Sequence, residues 1–289
     1  MMYDGEIIPY LEKYFTTIKS EQLRAIFKYS VVGGKCIRGF IVKHIIETLT
    51  GKNTDYWQAI TCVELIHAAS LIIDDLPCMD NDYMRRGKLS VFSKFGKHEA
   101  ILMTFYMISE SVRLINNGLP KNTFERSQEL INKWCDLLGK NLVIGQLLDL
   151  KSEIANYFKT DITNDNFNTK IIKYKTCSLF SFAFILGLIF SEKELDIKEF
   201  KTMGKHFGMM FQLVDDYKDI NEDDEKINYV LKFGVQNTCV KYHQSKTQLI
   251  MLLKKNNLYT DKFKGLIAYM DNRMPSHIQQ NDKNIVLSN

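Results

Sequence analysis

Leu71-Ile72-Ile73-Asp74-Asp75-Leu76-Pro77-Cys78-Met79-Asp80-Asn81-Asp82 is the stretch on which the reading of the chain turns. An apolar segment runs into two adjacent carboxylates, and Pro77 ends the helix just beyond them. Acids at a helix C-terminus face the negative pole of the macrodipole, a cost that a bound cation reverses. Asp80 and Asp82 follow in the next loop and can turn back to the same point.

The surroundings are helical almost throughout. Ile7, Leu11, Tyr14 and Phe15 form a first stripe, and Ile41, Ile45, Ile46 and Leu49 a later one. Helices are predicted for Asp55 to Ile73, His98 to Ile115, Phe124 to Leu138 and Asn141 to Tyr157. Further on they are predicted for Ile171 to Phe190, Phe200 to Ile220, Val235 to Leu253 and Lys262 to Tyr269. The chain has 289 residues but only 15 Gly and 4 Pro, against roughly 12% for average usage. That shortage of turn-formers argues against a many-stranded sandwich or barrel. One all-helical domain over residues 1–273 is the expectation, with a polar tail at 274–289.

Composition excludes several classes. A hydrophobic content of 45% with 25% charged residues is not that of a disordered chain. The net charge of +4, without a run of five like charges, gives nucleic-acid binding no support. Six scattered cysteines without a CxxC pair read as reduced thiols. The apolar run from Leu179 to Phe190 is too short to span a bilayer and reads as a core helix. The acidic N-terminus does not resemble a targeting peptide, so a soluble, cytoplasmic protein without a transmembrane segment is expected.

A second acidic cluster, Phe211-Gln212-Leu213-Val214-Asp215-Asp216-Tyr217-Lys218-Asp219, puts Asp215 and Asp219 one turn apart on a helix face. Oxygen donors of this kind suit Mg²⁺, which takes a few carboxylates and completes its shell with water and phosphate oxygens. Cations suited to phosphates are also present. Lys35 and Arg38 follow Gly33-Gly34 as a helix begins, Arg85-Arg86-Gly87 follows the first acidic cluster, and Lys175-Thr176 opens a long apolar helix.

Together these segments resemble the trans-type isoprenyl diphosphate synthases over about residues 33–273. The DDxxxxD motif is met by Asp74, Asp75 and Asp80, and FQxxDDxxD by Phe211, Gln212, Asp215, Asp216 and Asp219. GGKxxR is met by Lys35 and Arg38, the helix-borne histidine by His67, and the KT pair by Lys175 and Thr176. Gly145-Gln146-Leu147-Leu148-Asp149-Leu150 matches a further segment. The run DDLPCMDND with RRG after it is similar to the plant and bacterial geranylgeranyl diphosphate synthases.

The resemblance implies the isoprenoid synthase fold, a single large helical bundle around a central cavity, and a homodimer. It implies Mg²⁺, about two or three ions, held by Asp74, Asp75, Asp80, Asp215, Asp216 and Asp219. Arg85 and Lys175 would assist the allylic diphosphate, while Lys35, Arg38, His67 and Arg86 would hold isopentenyl diphosphate. Thr176 and Gln212 would offer dipoles to the allylic cation, and Lys226 matches a loop lysine. The chain grows along the helix before Asp74, so the small Ala69 and Ser70 point to a twenty-carbon product. Phe105 and Tyr106 on the next helix are the rings that could stop growth at fifteen carbons.

Several positions depart from the family pattern. Gly39 stands where a proline is usual after Arg38, and Ile73 where a histidine often precedes Asp74. Met103-Thr104-Phe105-Tyr106 replaces a smaller segment, and the loop from Ile220 to Glu225 is short and acidic. Two rivals are a non-catalytic regulatory subunit and a class I terpene cyclase. Both motifs are intact and the phosphate-binding cations are present, which weighs against each.

Overall fold

The computed structural model describes residues 3–51, 56–119, 124–150, 165–221 and 228–275. The described chain is helical, apart from one short hairpin, and divides into two compact units.

The first unit comprises Met1–Cys135 and Phe182–Leu195. It contains α1 (Asp4–Thr17), α2 (Glu21–Val31), α3 (Ile37–Thr50), α4 (Trp57–Asp74), α5 (Val91–Phe95), α6 (Lys97–Gly118) and α7 (Phe124–Trp134). Strands β1 (Met84–Arg85) and β2 (Lys88–Leu89) pair antiparallel between α4 and α5. Helix α4 is buried on every side, with Ile60, Cys62, Val63, Leu65 and Ile66 all in the core. A helix apolar all round belongs at a centre, and α4 packs against α1, α3 and α6.

The second unit comprises Asp136–Ser181 and Asp196–Asn289. Its helices are α8 (Val143–Leu150), α9 (Asp165–Phe190), α10 (Ile197–Lys218), α11 (Tyr229–Lys255) and α12 (Asp261–Asp271), and α9 continues into the first unit from Phe182. Gly204 and Gly208, one turn apart on α10, admit α9 closely. A Cβ at Gly204 would lie 2.3 Å from the Ser181 Cα, and one at Gly208 2.8 Å from the Cys177 Cα.

Sequence periodicity located most of these helices but missed α2, the short α5 and the hairpin. No helix was expected at Glu21–Val31, yet α2 forms with Ser20 as its cap, accepting the Leu23 N–H, and buries Ile26, Phe27 and Val31. The hairpin was also missed. Its turn puts Arg86 at φ 55° and Gly87 at φ 73°, the primed geometry that favours Asn-Gly, so Arg-Gly gave no signal. A break was expected between Leu138 and Asn141. The chain instead continues from α7 into α8 through a π-helical stretch, Cys135–Leu142. The predicted start at Val235 reflects a kink, because Gly234 has φ 79° within α11.

Two helices, Trp57–Asp74 and Thr169–Phe190, are long and apolar enough by composition to cross a membrane. Both bury most of their surface inside the protein. The tail beyond Pro275 and the expected extension of the helix to Tyr157 lie outside the described residues.

Candidate active site

Asp74 is the last residue of α4 and Asp75 its cap. The following loop returns to the helix end, with Asp80 N–H donating to the Asp74 carbonyl at 2.9 Å and Asp82 N–H to the Asp75 carbonyl at 3.1 Å. Those bonds satisfy carbonyls that a helix C-terminus leaves open. They also bring the acids of the loop back beside the acids of the helix, as the sequence suggested.

The two adjacent aspartates then diverge. Asp75 is 2% exposed, and Arg85 clamps it through Nε at 2.7 Å and a second guanidinium nitrogen, while also reaching Asp82 at 2.9 Å. Burial pushes the Asp75 carboxyl up, Arg85 opposes this, and Asp82 and Asp80 add to the rise. Asp75 thus anchors Arg85 in an ion pair. Asp74 is half-buried and Asp80 exposed at the helix end.

The second motif has the same division, at the C-terminal end of α10. Asp216 is 5% exposed, and both its oxygens are committed inside the protein. Oδ1 accepts from Gln212 Nε2 at 2.8 Å and Oδ2 from the Tyr229 N–H at 3.0 Å. Asn228 donates to the Asp216 carbonyl at 2.7 Å and caps α11 by accepting from Val230 and Leu231. Thr176 donates to Gln212 Oε1 at 2.5 Å, completing a chain from Thr176 through Gln212 to Asp216. Asp216 therefore ties α11 to α10. Asp215 and Asp219 are half-buried, and the Asp219 N–H closes on the Asp215 carbonyl at 3.0 Å. Asn228 was not singled out from sequence, although an Asn directly before a helical run is a capping signal.

Among the described residues, no group of three or more His, Cys, Asp or Glu side chains forms a metal cage. A few carboxylates with remaining positions left to water and phosphate is the Mg²⁺ pattern, and the all-oxygen donors fit it.

The cations occupy distinct places. Lys175 is ion-paired with Asp149 within the second unit. In the first unit Lys35 is exposed ahead of α3, and Arg38 lies in the first turn of that helix. Arg86 donates to the Ser30 and Val31 carbonyls at 3.3 and 3.2 Å, and Lys88 to the Tyr29 and Val32 carbonyls at 2.6 and 3.0 Å. The hairpin thereby supplies two cations to the carbonyl end of α2, where the macrodipole favours them. His67 is held neutral, its basicity well below normal through burial and then the charges of Arg38, Arg86 and Arg85. Arg38, His67 and Arg86 are thus gathered in one region, and Lys226 lies outside the described residues.

The residues read as chain-length determinants separate as well. Ala69 is buried, and Ser70 is half-buried with its hydroxyl on the His67 carbonyl at 2.9 Å. Phe105 is 66% exposed on the outside of α6, so its ring does not wall an interior tunnel of this chain. Tyr106 packs edge-on to Phe27 with centroids 5.7 Å apart.

An all-helical protein with acid-rich ends on two helices and arginines clustered beside one of them points to a class. The polyprenyl synthetase family model matches residues 20–233. The farnesyl diphosphate synthase of Bacillus subtilis is 33% identical over 72% of this chain and 69% of its own. The chloroplastic geranylgeranyl pyrophosphate synthase 12 of Arabidopsis thaliana is 33% identical over 69% of this chain and 56% of its own length. A geranyltransferase structure from Legionella pneumophila superposes with a TM-score of 0.78 at 27% identity, covering 94% of each chain. The chain belongs to the polyprenyl synthetase family, and is a trans-type isoprenyl diphosphate synthase.

Proposed function

We propose that the enzyme condenses isopentenyl diphosphate with allylic diphosphates and releases geranylgeranyl diphosphate. The observation that carries the reading is the paired division at the ends of α4 and α10. In each, one aspartate is spent on structure and the others stand at the negative end of a helix. Asp219 pairs with Lys218 at 2.8 Å, and divalent cations would offset the negative helix pole at which these acids stand.

Asp74 and Asp80 of the first motif and Asp215 and Asp219 of the second would supply oxygens to Mg²⁺ that binds the allylic diphosphate. Mg²⁺ held there would supply Lewis-acid stabilisation of the leaving diphosphate. Lys175 and Arg85 assist at the same group, while Lys35, Arg38, His67 and Arg86 orient isopentenyl diphosphate. The allylic C–O bond breaks, the double bond of isopentenyl diphosphate attacks the allylic cation, and the departing diphosphate takes the proton that is lost. Thr176 and Gln212 turn dipoles toward the cation without acting as nucleophiles. This reading treats residues 1–273 as one catalytic domain and places the enzyme in the cytoplasm.

Product length follows from α4. One helical turn is about 5.4 Å, comparable to one isoprene unit, and the small Ala69 lies just over a turn before Asp74. Ala69→Tyr is expected to shift the main product from twenty to fifteen carbons, read by chromatography of the dephosphorylated alcohols. An unchanged product would remove Ala69 from the tunnel. Tyr106→Ala should leave chain length as it is; lengthening would make that ring the floor and favour a farnesyl diphosphate synthase.

A homodimer is part of the same proposal. Ile101, Leu102 and Phe105 expose an apolar stripe on α6, at 41%, 68% and 66%. Light scattering at micromolar concentration should return twice the chain mass, and Leu102→Glu should return the monomer. A monomeric wild type would contradict the assignment of this face.

A further inference from the structure

Glu64 is a buried acid that the reaction scheme above does not use. It lies on α4, 4% exposed, and its Oε1 accepts the Gly39 N–H at 2.7 Å. Gly39 is in the first turn of α3, where N–H groups have no carbonyl partner within their own helix. The next amide, Phe40 N–H, already bonds to the Cys36 carbonyl at 3.0 Å. An acid on one helix therefore caps the start of another, and does so at the residue after Arg38.

The fit is close. A Cβ at position 39 would stand 3.1 Å from Glu64 Oε1, 3.2 Å from its Cγ and 3.2 Å from Ile60 Cγ2. The proline usual at this place in the family would bring such a carbon and would have no N–H to donate. The departure from the family pattern and the orientation of Glu64 are thus one feature.

Charge completes it. Arg38 and Arg86 both act to keep Glu64 ionised against its burial, and Glu64 heads the charges that favour the ionised Arg86. Arg86 is also tethered to the end of α2, with its guanidinium laid on Gly34, where a Cβ would come within 2.8 Å of Cζ. Two guanidinium groups gathered in one half-buried region repel each other, and an opposite charge among them fixes their separation.

We propose that Glu64, seated on the Gly39 N–H, is a positioning residue that sets Arg38 and Arg86 for the diphosphate of the non-ionising substrate. This rests on the proposed prenyl transfer, so wild-type turnover of isopentenyl diphosphate with an allylic primer and Mg²⁺ is measured first. Its absence would remove the functional reading itself.

The test is then steady-state kinetics of Glu64→Gln, Gly39→Pro and the double variant, with melting temperatures. Glu64→Gln keeps the shape and an oxygen for Gly39 N–H, and deletes only the charge. It should raise KM for isopentenyl diphosphate about tenfold, the scale of one lost charge-assisted contact. KM for the allylic substrate and kcat should stay within about twofold. Gly39→Pro, which unseats the carboxylate, should shift the same KM by about threefold, and the double variant should be no worse than Glu64→Gln alone, because a neutral side chain has no charge left to misplace. Unchanged KM for isopentenyl diphosphate in an active Glu64→Gln enzyme would overturn the proposal. So would equal losses for both substrates with a lowered melting temperature, which is what a merely structural acid would give. If Glu64→Gln does not fold, Gly39→Pro decides by the same split between the two KM values.

Discussion

Asp74→Ala and Asp215→Ala are each expected to lower turnover about a hundredfold to a thousandfold while the protein stays folded. In the proposed reaction each would hold Mg²⁺ against a departing diphosphate, and loss of one such electrostatic contact costs about 3–4 kcal/mol in the barrier. Neither side chain is fully buried, so the fold has little to lose. Steady-state rates at saturating substrate, with a thermal melt of each variant, check this. Near-normal turnover in either would remove that aspartate from the reaction.

Asp216→Ala is expected to behave in the opposite way, through the fold. Its removal leaves Gln212 Nε2 and the Tyr229 N–H without their acceptor. Each buried, unsatisfied donor costs about 1–3 kcal/mol, giving a loss of roughly 4 kcal/mol in all. For a chain of this size that corresponds to about 10 °C in melting temperature, at 2–4 °C per kcal/mol. Asp215→Ala should move the melt by no more than about 2 °C. Circular dichroism melts of the two variants side by side decide it, and equal melting temperatures would contradict the division of labour within the motif.

That division is what sequence could not show. Spacing put Asp215 and Asp219 on one face and bunched Asp74, Asp75, Asp80 and Asp82 near one helix end, and the structure has them so. Adjacent aspartates in a motif nevertheless read alike on paper. Whether a carboxylate turns inward depends on partners far along the chain: Arg85 for Asp75, and the Tyr229 N–H for Asp216. A backbone N–H has no sequence signature at all.

The same limit explains Phe105 and the hairpin. Helical periodicity cannot separate a ring on the inner face of α6 from one on the outer face until the neighbours are known, and Phe105 is outside. Arg86 read as a substrate cation, yet it and Lys88 both bind carbonyls at the end of α2, a helix not predicted from sequence. The long helices were legible because apolar residues at helical spacing persist for many turns, as in α4 and α9, and Gly and Pro are scarce. Gly39 illustrates the converse. A departure from a family pattern marked the position, but only the 2.7 Å contact with Glu64 gave it a physical reason.

The central claim is prenyl transfer driven from two aspartate-bearing helix ends, and one incubation tests it most directly. Purified protein is mixed with isopentenyl diphosphate, Mg²⁺ and, in separate reactions, dimethylallyl, geranyl or farnesyl diphosphate, and the products are sized after dephosphorylation. The account predicts geranylgeranyl diphosphate as the main product, formed with Mg²⁺ and abolished by a chelator. No elongated product from any primer, with the protein folded and the metal present, would contradict it.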